Sequence, residues 1–109
     1  MIKDENLNSG INTQLNEWVI VRTCSAGVWF GKLTEKYDDE IILSEARRMW
    51  YWKCKKSISL SGCALYGIDQ DESKICPPVE KVWLEAIEII SLTKEAYDSI
   101  KGAKHAEAE

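Results

Sequence analysis

The chain has 109 residues, 45% of them hydrophobic, with 14 basic against 18 acidic side chains and a net charge of −4. That length allows one domain with a modest core, and five Trp and four Tyr in so short a chain exclude disorder for its body. The acidic balance argues against broad binding to a nucleic-acid backbone, which basic surface and counterion release drive, but it leaves room for a small basic pocket that takes a small anion.

Residues 1–15 mix Asn, Ser, Gly and Gln with scattered apolar residues and no sustained period, and read as a flexible N-terminal arm. A single globular domain is expected over 16–102. Its first strand, Trp18 to Thr23, is short and dense in β-branched residues; Ser25-Ala26-Gly27 breaks it, with Gly27 free to take positive φ. Val28 to Tyr37 reads as a second strand, in which Gly31 marks a bulge or a bend of the kind a curling sheet needs. Asp38-Asp39 makes a hairpin turn, and Glu40 opens a third strand that runs on through Trp52, completing an antiparallel meander.

Beyond it, Lys53-Cys54-Lys55-Lys56 reads as a solvated basic connection. Leu60, Cys63, Ala64 and Gly67 fall at i, i+3, i+4 and i+7, which predicts a short helix capped by Ser57 or Ser59 and ending near Gly67, although Gly62 weakens it. Asp69 to Ser73 is an acidic loop, and Pro77-Pro78 forbids central sheet pairing at that point. Val82 to Ile90 is read as a strand because β-branched residues crowd its second half. Thr93 caps a helix through Ile100, with Glu95 near its positive end and Gly102 as the stop; Ala96, Tyr97 and Ile100 form an apolar face expected to close an open end of the sheet. Residues 103–109 read as a loose C-terminal tail. The fold expected is mainly β (α+β): a small, strongly curled antiparallel sheet or SH3-like barrel of about five strands, with one short inserted helix and a C-terminal helix.

Cys24, Cys54, Cys63 and Cys76 form no C-x-x-C pair and His105 is the only imidazole, which discounts zinc; no cofactor is expected. A polar start without an apolar stretch before residue 20, and no run long enough to span a bilayer, predict a cytoplasmic protein with reduced thiols. No Gly-x-Ser-x-Gly or phosphate-cradling glycine loop occurs, and no cysteine has an evident histidine partner, so the chain is read as a binding protein and not as an enzyme.

The stretch with most chemistry runs from Ser44 to Lys53, where two arginines and three aromatic residues crowd into ten positions. In an extended strand Arg48, Trp50 and Trp52 share one face while Arg47, Met49 and Tyr51 share the other. Guanidinium beside flat rings suits a planar anionic ligand, because arginine forks phosphate oxygens and an indole stacks on a base. Arg22, Arg47 and Arg48 are the only arginines in the chain, and all fall in or beside the aromatic-rich strands. The candidate ligand-binding set is therefore Arg22, Arg47 and Arg48 for the anion, Trp29, Trp50 and Trp52 as stacking platforms, and Ser25 with Gly27 as a phosphate-facing turn. The alternative is that the rings are core and the arginines pair with surplus carboxylates.

Several segments together, Val19 to Thr23 with Ser25 to Val28, Gly31-Lys32-Leu33, Ala46-Arg47-Arg48 leading to Trp50-Tyr51-Trp52, Leu60-Ser61-Gly62, Glu85 to Ile90 and Ser99-Ile100, resemble a family of small proteins encoded in bacteriophage genomes. The resemblance covers nearly all of residues 18–102 through many weak positions. It implies action inside an infected bacterium and carries no assigned site. With it, the expected function is anti-defence: sequestration, without turnover, of a nucleotide-derived immune signal of the cyclic ADP-ribose or cyclic oligonucleotide type, in a homo-oligomer whose subunit interface supplies the pocket. Two alternatives stand beside it. One is an inhibitor of a host factor or a structural phage component with a Trp-rich docking face. The other is a small barrel that binds single-stranded nucleic acid, against which the net charge counts.

Overall fold

In the computed structural model, which describes residues 13–107, strands form where β-branched and aromatic residues concentrate: β1 Trp18–Thr23, β2 Val28–Tyr37, β3 Glu40–Tyr51, β4 Lys74–Ile75 and β5 Val79–Ser91. Two helices, α1 Leu60–Tyr66 before β4 and α2 Lys94–Lys101 after β5, complete the chain. Every pairing between these strands is antiparallel. β1 lies between β2 and β5, while β3 pairs with β2 on one side and β5 on the other, so these four strands close into a ring and β4 extends the far end of β3. The mainly β expectation with a curled sheet and two short helices holds, and ring closure leaves few exposed strand edges.

The core has two layers that share the same strands. Val19, Val21, Trp29, Leu33, Ile41, Leu43, Ala46 and Leu84 point into the ring. Ile20, Phe30 and Met49 point outward and pack with Leu60, Cys63, Ala64 and Ile100 of the helices. β1 is thus apolar on both faces, which is why its run lacks polar alternation. On β3 the pattern inverts once. Ile41 and Leu43 face inward at odd positions, Ala46 faces inward at an even one, and between them Glu45 adopts φ 49° while the β2 pairing slips by one residue. This bulge sends Arg47 and Met49 to the helix side and leaves Arg48 at the mouth of the ring.

Both helices start and stop as their residues dictate. Ser59 caps α1 by accepting from the Gly62 amide, and Gly67 ends it at φ 91°. Thr93 caps α2 by accepting from the Ala96 amide, with Glu95 in the first turn and Lys101 in the last. Two expectations change. The apolar face of α2 does not close an end of the sheet: Tyr97 packs edge-on to Trp18 and tilted to Phe30, two rings stacked on each other on the outer surface of β1 and β2, since those rings already need cover there. Residues 103–106 are not loose, because Ala103 is buried, His105 bridges to Ile75 and the Ala106 amide donates to the Ile75 carbonyl. The proposed arm at 1–15 lies outside the described residues up to position 12, and Thr13 to Asn16 form a turn.

Candidate functional site

The eight residues singled out from the sequence do not converge on one hollow. Arg47, only 2% exposed, donates to five backbone carbonyls: Nε to Cys76 at 2.8 Å, Nη1 to Ile100 and Lys101 at 2.9 and 3.1 Å, and Nη2 to Ile75 and Lys104 at 3.2 and 3.4 Å. The guanidinium closes the carbonyl end of α2 and ties β4 to the C-terminal segment, so it serves the fold and not a ligand. Burial lowers its pKa, but an arginine remains charged. Arg22 is an exposed ion-pair partner, Nε to Glu88 Oε1 at 2.9 Å. Trp29 is 5% exposed and Trp52 packs against the outer core layer. For these four the structure corrects the expectation: backbone carbonyls hold the Arg47 guanidinium and a carboxylate holds that of Arg22, while Trp29 goes into the inner core layer and Trp52 against the outer one.

Part of the set does come together. Arg48 lies over the Trp29 ring at 4.3 Å and donates Nη1 to the Ala26 carbonyl at 2.8 Å, which also accepts from Trp29 Nε1 at 3.0 Å. That carbonyl belongs to the turn carrying Ser25 and Gly27, and Gly27 takes φ 84° beside the guanidinium. Trp50, on the Arg48 side of the strand, is 71% exposed. Four surface clefts of about 230 to 680 Å³ are lined by none of the eight.

One of those clefts, of about 230 Å³, holds the most chemically defined surface. It sits on the outer face of the ring near the β2–β3 hairpin. The pairing register places Glu35, Ile42 and Trp83 in one row across three strands, and Tyr37, Glu40 and Glu85 in the next. Positions two apart on a strand share a face, so all six side chains stand on the same outer surface. Trp83 is 55% and Tyr37 59% exposed. The indole N–H of Trp83 donates to Glu40 Oε1 at 3.1 Å, which fixes the edge of a ring that stays more than half exposed. Lys36, the one cation of the lining, is turned to the Asp38 carbonyl. No described cation lies within ion-pair distance of Glu35, Glu40 or Glu85. Sequence reading missed this group, although the signal was present. In β5 the inward positions are Val82, Leu84 and Ala86, so period two puts Trp83 among Lys81 and Glu85, where a soluble strand ordinarily carries polar residues.

Among the described residues no group of three His, Cys, Asp or Glu is placed to hold a metal, and no helix is long and apolar enough to cross a membrane. Fold and surface together define a small closed β-barrel with a helical layer on one side and an aromatic, acid-rimmed cleft on another. The chain belongs to the DUF6948 family, a domain of unknown function, which it matches over residues 16–100. None of the curated proteins and none of the solved structures compared matches it.

Proposed function

We propose that the protein works by binding another protein, without turnover, through the outer face formed by β2, β3 and β5; the resemblance to phage-encoded proteins makes a factor of an infected bacterium the partner we favour. The observation that carries this reading is the exposure of Trp83 and Tyr37 around Ile42 on one ordered sheet face. Trp and Tyr dominate the energetics of protein interfaces, because they bury large area at low entropic cost. The test compares wild type with Trp83→Asp as baits in lysate of the native host. The expected result is a protein held in stoichiometric amount by wild type and lost by the variant, with unchanged far-UV circular dichroism. Equal capture by both, or none by either, overturns it.

A second reading, nucleotide capture, draws support from Arg48 and Trp50. Only one guanidinium nitrogen of Arg48 has a described hydrogen bond, and the neighbouring indole is open to a base. With one arginine in place of the three first expected, a second copy would have to complete the site. Titration with ADP-ribose derivatives and cyclic nucleotides, read by Trp fluorescence, tests it. Saturable quenching that Arg48→Glu abolishes, with the ligand released intact, is the supporting result, and absence of quenching removes the reading.

A further inference from the structure

Resting on the protein-binding reading, we infer that the cleft of Tyr37, Ile42 and Trp83 takes a lysine or arginine side chain from an apolar-flanked segment of the partner. Glu40 and Glu85 stand directly opposite each other across β3 and β5, and Glu35 lies one row away on the same face. Like charges directly opposed in a sheet destabilise it, so the free protein carries a repulsion that an incoming cation relieves. No described lysine or arginine side chain supplies that cation.

The rings agree with the charges. The faces of Trp83 and Tyr37 carry the negative part of the aromatic quadrupole and attract a cation seated over them, while the methylenes of the same side chain lie on Ile42. The cleft, at about 230 Å³, is smaller than the roughly 300–1,000 Å³ of small-molecule sites, which suits a single side chain and not a whole ligand. The net charge of −4 draws basic partners from a distance in the same sense.

The experiment follows the Trp83 indole N–H by nuclear magnetic resonance during titration with a short peptide carrying one arginine flanked by leucine. The control peptide has citrulline, which keeps the shape and removes the charge. The expected result is a saturable shift of the Trp83 signal. Binding is about tenfold weaker for citrulline, and weaker again in high salt. In Glu40→Gln/Glu85→Gln the arginine peptide binds at least severalfold less well while the free protein melts no lower than wild type, a pair of opposite effects that a structural role of these carboxylates does not produce. If both peptides bind equally, the cation inference is overturned and the protein-binding reading stands. If neither moves the signal at millimolar peptide, the inference is overturned, and the Trp83→Asp bait comparison decides the reading beneath it.

Discussion

Arg47 is where a residue's chemistry and its position part company most clearly. A guanidinium in an aromatic-rich strand has the donors to bind phosphate, yet here all five of its hydrogen bonds end on carbonyls of the same chain. Removing it leaves buried acceptors without donors. Arg47→Met is therefore expected to lower stability by about 3–5 kcal/mol in urea unfolding, and Arg47→Lys to recover little, since an ammonium lacks the planar fork. Arg22→Ala, which breaks only an exposed pair with Glu88, is expected to change stability by less than about 1 kcal/mol in the same measurement. The cysteines divide in the same way. Cys24 is exposed, whereas Cys54 and Cys63 are buried with their sulfurs 2.7 Å apart. A thiol reagent should modify Cys24 in the native protein and reach Cys54 and Cys63 only on unfolding. Burial, and then the hydrogen bond that Cys63 makes to Cys54, whose own S–H is given to the Ser59 carbonyl, push the Cys63 thiol up from its ordinary 9.0, so the unfolded chain loses that proton first. The stability this thiol contributes is complete below pH 9 and falls as pH rises above it, by at most about 1.4 kcal/mol per pH unit, which urea midpoints at pH 7 and 10 check.

At the scale of the element, the inversion in β3 decides which arginine goes where. Glu45 at φ 49° turns one long strand into two pieces with opposite facing, and Gly31 across from it is closely packed: a Cβ there would stand 3.1 Å from the Ser44 carbonyl oxygen and 3.2 Å from the Ala46 Cα, so the backbone facing it would have to yield by a few tenths of an ångström. The short helix α1 shows a comparable fit. Gly62 weakens its intrinsic propensity by about 1 kcal/mol relative to Ala, yet an added Cβ would lie 2.2 Å from the Ser57 Cβ. Overpacking of that kind costs about 1–3 kcal/mol, so Gly62→Ala is expected to destabilise despite its better helix propensity, and Ser57→Gly in the same chain to restore what was lost. Thermal melts of Gly62→Ala, Ser57→Gly and the double variant test the coupling; an unaltered melting temperature in Gly62→Ala would mean that Ser57 gives way freely.

For the whole molecule, closure of β1, β2, β3 and β5 joins the two core layers through shared strands. Val19 and Val21 belong to the inner layer while Ile20 between them belongs to the outer one. The inner layer has no strand of its own, the outer one has only the two residues of β4, and the domain is small. Unfolding in urea is accordingly expected as one transition, with Trp fluorescence and far-UV circular dichroism coinciding; separated midpoints would show that the helical layer detaches first. The ring also sets the functional surface. It turns one face of each strand inward, covers part of the outer surface with α1 and α2, and leaves the β2–β3–β5 outer face bare with Trp83 and Tyr37 on it.

By itself the sequence determined the elements: the span of β1, the Gly27 and Asp38 turns, the caps at Thr93 and at Ser59, one of two serine candidates, and the choice of strand over helix for Val82 to Ile90, which the structure extends to Val79–Ser91. These rest on β-branching, turn chemistry and capping, forces that act over a few residues and are written locally. Tertiary structure alone decided the facing of the arginines, because the carbonyls that hold Arg47 lie 28 to 57 residues further along the chain and a single left-handed residue at Glu45 exchanges the two sides of the strand. It alone placed Trp83 beside Tyr37 and Glu40, since cross-strand register joins residues that no local pattern relates.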